Sequence, residues 1–87
     1  MASIEEIKAA LAQAVEQSDA TAHQVRSAAD NVEQLLARLR AISTGTSHPM
    51  INEAIARIEQ SRQHLFEAMT MLQGSAEAAR NYSGVLG

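Results

Sequence analysis

The sequence has no cysteine and no tryptophan, and its 87 residues include only one proline, one tyrosine and one phenylalanine. The lack of cysteine excludes disulfides, thiolate metal sites and thiol nucleophiles. The shortage of aromatic side chains leaves too few stacking groups for single-stranded nucleic acid. Hydrophobic residues still make up 46% of the chain. Such a composition, mostly alanine, leucine, isoleucine and valine, favours long helices in one small domain over many short strands.

The charges are few and mixed in sign. Ten acidic and seven basic residues give a formal net charge of −3, and the arginines are dispersed among acids, so we expect no nucleic-acid partner. No stretch approaches the roughly 18 apolar residues that span a bilayer. The first residues lack the basic and apolar regions of a cleavable secretory signal. The sequence therefore predicts no integral membrane segment, and a protein that is cytoplasmic or secreted without a cleavable signal peptide.

One cluster of turn-forming residues, from Ser43 to Pro49, interrupts the chain. Gly45 suits the left-handed residue that ends a helix. Pro49 suits the first turn of the next helix, where its missing N–H has no consequence. Either Ser47 or His48 is then the N-cap of that second helix. The cluster predicts a hairpin turn that contains Gly45 and Pro49.

A seven-residue apolar repeat flanks this break on both sides. In the first segment its a positions are Ile4, Leu11, Ser18, Val25, Val32 and Leu39, and its d positions are Ile7, Ala14, Thr21, Ala28, Leu35 and Ile42. In the second segment the a positions are Ile51, Ile58, Leu65, Leu72, Ala79 and Leu86, and the d positions are Ala54, Ser61, Ala68, Ser75 and Tyr82. The repeat predicts an all-α, coiled-coil-like hairpin as a single domain over 1–87: helix 3–43, turn 44–48, helix 49–82 and tail 83–87. A short connection makes the helices antiparallel neighbours that pack through their a and d positions.

An apolar strip lies beside these positions, mainly at the e positions of the repeat. Its predicted partner-binding residues are Val15, Ala22, Leu36, Ile55, Phe66 and Met69. Contiguous apolar strips usually mark interfaces, and a lone layer of two helices buries little apolar surface for its length. We therefore expect a homodimer, or a heterodimer with a similar helical hairpin, in which two hairpins form a four-helix bundle.

Residues for catalysis or metal binding do not form a pattern. His23, His48 and His64 are dispersed, whereas a metal site needs three or four converging ligands. Paired carboxylates need a pocket that separates their pKa values, and two helices enclose no such cleft. We expect no enzymatic activity, no metal and no cofactor. The sequence instead favours a non-catalytic protein–protein interaction module.

A helical hairpin of this length resembles the WXG family of type VII secretion. The family carries Trp-x-Gly at the turn, where this chain has Ser43-Thr44-Gly45. The family's export signal, Tyr-x-x-x-Asp/Glu, corresponds to Tyr82, which is followed four residues later by Leu86. The arginine-rich, alanine-rich composition is also similar to that of small actinobacterial helical-hairpin proteins. The resemblance implies a dimeric four-helix bundle linked to type VII-like secretion. The alternatives are a scaffold subunit of a larger cytoplasmic assembly and a peptide that lies on membrane surfaces.

Overall fold

The computed structural model describes residues 2–87, which form two long helices, α1 (Ile4–Ser43) and α2 (Pro49–Leu86). They lie side by side in a rod of 63 × 18 × 15 Å. Arg40 forms an ion pair with Glu59 near the turn, and Asp19 forms one with Arg80 toward the open end. These pairs fix the two helices as antiparallel over most of their length. The predicted all-α helical hairpin is confirmed.

The start of α1 follows from its first residues. Ser3 is the N-cap, and its Oγ accepts a hydrogen bond from the Glu6 N–H at 3.1 Å. Glu5 and Glu6 lie in the first turn, where negative charge interacts favourably with the free N–H groups of the helix end. The predicted start at residue 3 therefore differs from the observed one only by the cap itself.

The turn differs from its prediction at Gly45. Among residues 2–87, only Gly87 has a positive φ, so the predicted left-handed conformation of Gly45 is wrong. The C-cap of α1 is Thr44, in the right-handed region with a φ of −70°. The Thr44 hydroxyl donates to the Ala41 carbonyl at 2.7 Å, and the Gly45 N–H donates to the Ile42 carbonyl at 3.0 Å. These bonds satisfy the Ala41 and Ile42 carbonyls in the last turn of α1, and the chain leaves the helix without a left-handed residue.

The start of α2 decides between the two candidate caps. His48 is the N-cap, and its Nδ1 accepts a hydrogen bond from the Met50 N–H at 3.1 Å. The His48 N–H in turn donates to Thr46 Oγ1 at 3.3 Å. Pro49 occupies the first turn of α2, as predicted. Together these contacts order the 44–48 segment between the helices.

The end of α2 lies beyond its predicted position. The helix continues through Ser83 and Gly84 to Leu86, so the predicted helix end at 82 and the tail 83–87 are wrong. A glycine within a helix costs about 1 kcal/mol relative to alanine. Ser83 and Leu86 are half-buried on the side of α2 that packs against α1. Burial at these positions outweighs the low helix propensity of the Ser83-Gly84 pair.

The packed faces of the helices are rotated from the predicted ones. Ala29, Leu36 and Ala76, all at e positions, are the fully buried residues of the described chain, with 4%, 1% and 2% exposure. Leu35 and Ile42, at predicted core d positions, are 43% and 52% exposed. The helices thus pack mainly through their a and e positions, so the predicted a positions lie in the seam, whereas the prediction that the d positions form its other half is wrong. The d positions flank the seam, and those that are half-buried there are Ile7, Thr21, Ala28, Ala54 and Ala68.

The composition of α2 explains this rotation. The d positions of α2 up to Ser75 hold only alanine and serine, whereas its e positions include Ile55 and Met69. Packing through e therefore removes more apolar surface from water, at about 25 cal/mol per Å². The same rotation brings Arg62 within 3.1 Å of Glu33 on the other helix. A helical wheel of α1 alone does not show whether its d or its e positions pack against α2, because both sets contain large apolar residues.

Candidate interaction surface

Most of the predicted partner strip is used within the hairpin itself. Leu36 is fully buried, and the others at seam positions are half-buried, namely Val15, Ala22, Ile55 and Met69. The expectation that Leu36 is exposed is therefore wrong, because the seam itself passes through the e positions. Partner binding by the strip as a whole stays a prediction. Phe66 remains 45% exposed, but it lies apart from them, at a b position.

The b positions form an ion-pair edge along one side of the seam. Arg40 Nη2 lies 2.9 Å from Glu59 Oε1, and Arg80 Nη2 lies 2.9 Å from Asp19 Oδ2. Both pairs connect b positions of α1 with b positions of α2. Such half-exposed pairs contribute about 0–1 kcal/mol each. They identify which edges of the two helices lie on the same side of the hairpin.

The d positions lie on the opposite side of the seam in both helices, and they carry no charge. In α1 these residues are Ile7, Ala14, Thr21, Ala28, Leu35 and Ile42. In α2 they are Ala54, Ser61, Ala68, Ser75 and Tyr82. We call this surface the acid-free face, with the g positions of each helix as its rims. The α1 rim is Ala10, Gln17, Gln24, Asn31 and Arg38, and the α2 rim is Met50, Arg57, His64, Met71, Ala78 and Val85.

Large exposed apolar side chains concentrate on the acid-free face and its α2 rim. Leu35, Ile42 and Tyr82 on the face are 43%, 52% and 50% exposed. On the rim, the exposed apolar side chains are Met50, Met71 and Val85, at 69%, 75% and 83%. Scattered apolar residues are normal on a surface, whereas a contiguous set marks an interaction site. The face is therefore the candidate interaction surface of the hairpin.

No acidic residue lies at a d or g position, although Glu53 Oε1 accepts a hydrogen bond at 2.9 Å from Arg57 Nη2 on the α2 rim. All ten lie at b, c or f positions, on the ion-pair edge or on the outer sides of the helices. The basic side chains on the acid-free face and its rims are Arg38, Arg57 and His64. A surface without carboxylates can be buried against another protein without desolvating an unpaired negative charge, which costs several kcal/mol per ion.

Two depressions lie outside the acid-free face itself, and the second of them reaches its α2 rim at Met71. One, of about 370 Å³, opens near the ion-pair edge at the open end of the hairpin, and it is lined by Leu11, Ala12, Val15, Glu16, Ala79, Arg80 and Ser83. The other, of about 400 Å³, lies on α2 alone and is lined by Gln63, Phe66, Glu67, Thr70 and Met71.

Other candidate groups do not assemble into a site. Within residues 2–87, no three histidine, aspartate or glutamate side chains converge in a way that could hold a metal ion. Neither described helix contains a segment apolar enough to cross a bilayer. Gly45 and Pro49 lie at the turn, as predicted, and Tyr82 lies far from them, on the acid-free face.

No protein-family model, no curated protein and no solved structure matches this chain. The candidate surface therefore depends on the geometry of the hairpin. Sequence reasoning missed this surface, although one signal for it was present. The d positions are free of charge throughout both helices, and this also suits them for an interface with a second chain.

Proposed function

We propose that this chain is a non-catalytic protein–protein interaction module that docks another helical hairpin on its acid-free face to form a four-helix bundle. The exclusion of all ten acidic residues from this face is the observation that carries the proposal. Small residues at its centre, including Ala28, Ser61 and Ala68, suit the close approach of further helices. Exposed Leu35 and Ile42 supply larger apolar contacts toward the turn.

The total exposed area supports the same proposal. The chain exposes 6355 Å², whereas a compact monomer of 9.3 kDa exposes roughly 5,000 Å². The excess of about 1,400 Å² exceeds the roughly 800 Å² that each partner buries in a standard interface. One further hairpin on the acid-free face would bring the exposed area closer to that of a compact protein.

The resemblance to the WXG family adds a cellular role to the proposal. On that reading, the bundle serves a type VII-like export system, and Tyr82 corresponds to the tyrosine of the export signal. Tyr82 is half-exposed on the acid-free face, so pairing through this face would change its surroundings. A scaffold subunit of a larger cytoplasmic assembly is the alternative function.

The mass in solution tests the pairing. We expect light scattering to give the mass of two chains for the protein alone, or for its mixture with the product of the neighbouring gene. Leu35→Glu places a carboxylate on the acid-free face and should reduce this mass to that of one chain. Phe66→Glu is the matched control, because Phe66 is equally exposed but lies at the ion-pair edge.

Circular dichroism should show that both variants keep their helix content. Single-chain mass in every sample at high micromolar concentration would contradict the proposal. A mass well above two chains would favour the scaffold alternative. Dissociation by Phe66→Glu with no effect of Leu35→Glu would place the interface on the opposite edge.

A further inference from the structure

We infer that His48 makes the hairpin turn sensitive to pH: protonation of its imidazole removes the N-cap of α2 and opens the first turn of that helix. The hydrogen bonds and the charges around the turn support this role. The switch lies within one chain and does not depend on the proposed pairing of hairpins.

The His48 imidazole caps α2 through one ring nitrogen. Its Nδ1 accepts a hydrogen bond from the Met50 N–H at 3.1 Å, so this nitrogen carries no proton and the proton of the neutral ring lies on Nε2. Pro49, the first residue of α2, has no N–H, and the Ile51 N–H donates to the His48 carbonyl at 3.0 Å. The Met50 N–H is therefore the donor of the first turn that depends on the ring.

Protonation of His48 disfavours the capped structure in two ways. A protonated Nδ1 is a donor, so it would face the Met50 N–H with no acceptor between them. The imidazolium also places a positive charge at a helix N-terminus, where the free N–H groups already carry partial positive charge. α2 has no acidic residue in its first turn to offset that charge. Since the uncapped state binds more protons, the capped turn loses stability as the pH falls through the range in which histidine gains its proton.

The carbonyl end of α1 lies at the same end of the hairpin, and its partial negative charge favours a cation there. The last turn of α1 already contains Arg40. Carbonyl groups of that turn also accept hydrogen bonds from the Thr44 hydroxyl at 2.7 Å and from the Gly45 N–H at 3.0 Å. Because these groups already compensate the carbonyl end of α1, it stabilises a protonated His48 only weakly.

The charged side chains near the turn also oppose protonation. Residues 41–52 contain no Asp, Glu, Lys or Arg. The charged residues on either side of this segment are Arg38 and Arg40 on α1, and Glu53, Arg57 and Glu59 on α2. Each of the two carboxylates already has an arginine partner at 2.9 Å. The arginines outnumber the glutamates here, so a further positive charge on His48 is repelled.

The start of α1 provides a comparison within the same chain. Its cap is the Ser3 hydroxyl, which accepts a hydrogen bond from the Glu6 N–H at 3.1 Å. A serine hydroxyl does not gain or lose a proton in the range in which histidine does. Negative side chains, Glu5 and Glu6, occupy the first turn of this helix. Acidification should therefore open the start of α2 and leave the start of α1 capped.

Nitrogen-15 NMR of the native chain tests the cap directly. At about pH 8, above the histidine range, the His48 ring should show an unprotonated Nδ1 and a proton on Nε2. As the pH falls to about 5.5, the Met50 amide resonance should move together with the His48 ring resonances. The Glu6 amide should not follow this transition, because its acceptor is the Ser3 hydroxyl.

Urea unfolding at fixed protein concentration measures the contribution of the cap. His23→Gln and His64→Gln leave His48 as the remaining histidine, and Asp and Glu ordinarily stay ionised above about pH 5.5. In this background the unfolding constant should be roughly 2–30-fold larger at about pH 5.5 than at about pH 8, the factor for the loss of one N-cap. His48→Ser is the matched control, because serine is a preferred N-cap that does not titrate here, and it should not show this increase. His48→Ala should have the larger unfolding constant at both pH values.

Three results would overturn the inference. A proton on Nδ1 of His48 at about pH 8 would mean that the ring is not the acceptor. A Met50 amide resonance that stays fixed while His48 titrates would show that the cap does not depend on protonation. An equal increase of the unfolding constant in His48→Ser would assign the pH dependence to other groups. The first two results come from the native chain, so they decide the question even if a variant does not fold.

Discussion

Leu36 and Leu35 are adjacent in sequence, yet they have different surroundings. Leu36 is 1% exposed in the seam between the helices, whereas Leu35 is 43% exposed on the acid-free face. We expect Leu36→Ala to lower the free energy of unfolding by about 2–5 kcal/mol, because it removes buried methyl groups and leaves a cavity. Leu35→Ala is the matched control and should cost less than about 0.5 kcal/mol in the separated hairpin.

Urea unfolding followed by circular dichroism, at the lowest practical protein concentration, measures this difference. At higher concentration Leu35→Ala should become more damaging, because Leu35 then lies in the interface between chains. The loss caused by Leu36→Ala should persist at every concentration. Equal losses for the two variants in dilute solution would show that the helices pack through a and d positions after all.

Individual residues of the sequence predict several of the helix ends. Ser3, Gly45 and Pro49 predicted both ends of α1 and the start of α2 to within a residue or two, because caps and turns depend on neighbours in the sequence. The conformation of Gly45 was not predictable in this way, since hydroxyl groups of Ser43 and Thr44 bond to carbonyls of the last turn instead. Which of several hydrogen bonds forms at a helix end depends on local geometry, and the residue types alone do not reveal it.

The two helices differ in glycine content, because α2 contains glycine within its length and α1 does not. α2 contains Gly74 in its interior, and a methyl group built there meets nothing within 4 Å. We expect Gly74→Ala to raise the free energy of unfolding by about 1 kcal/mol through helix propensity alone. Gly74 lies at an outward c position, so the mass of the assembly should not change.

Thermal unfolding with light scattering on the same samples measures both effects. Gly45→Ala is the companion variant, because the added carbon would lie 3.6 Å from the Ile42 carbonyl oxygen, an ordinary contact. Its effect should stay within about 1 kcal/mol. A clear loss of stability in Gly74→Ala would mean that α2 is bent or interrupted near this glycine.

Helix existence and direction were predictable from the sequence, but helix rotation was not. The seven-residue period is the same whether a is paired with d or with e, so it fixes two long helices and leaves the packed face open. The choice depends on α2, where Ile55 and Met69 at e positions compete with alanine and serine at d positions. That comparison involves both helices together, and a helical wheel drawn for either one does not contain it.

The whole molecule is a thin rod with very little interior. Ala29, Leu36 and Ala76 are its fully buried residues within the described range 2–87, and a layer this thin supports only marginal stability. If a second chain covers the acid-free face, folding and association become one equilibrium. The midpoint of thermal unfolding must then depend on protein concentration.

We expect each tenfold rise in concentration to stabilise the dimer by about 1.4 kcal/mol. Shared between two chains of this size, that corresponds to a rise of roughly 3–5 °C in Tm. Leu35→Glu should abolish the dependence and lower Tm, while Phe66→Glu should retain it. A Tm that stays constant over a hundredfold range of concentration in the native chain would show that the hairpin is stable alone. In that case the excess exposed area would reflect only the elongated shape of the rod, and the acid-free face would lose its energetic argument for a partner.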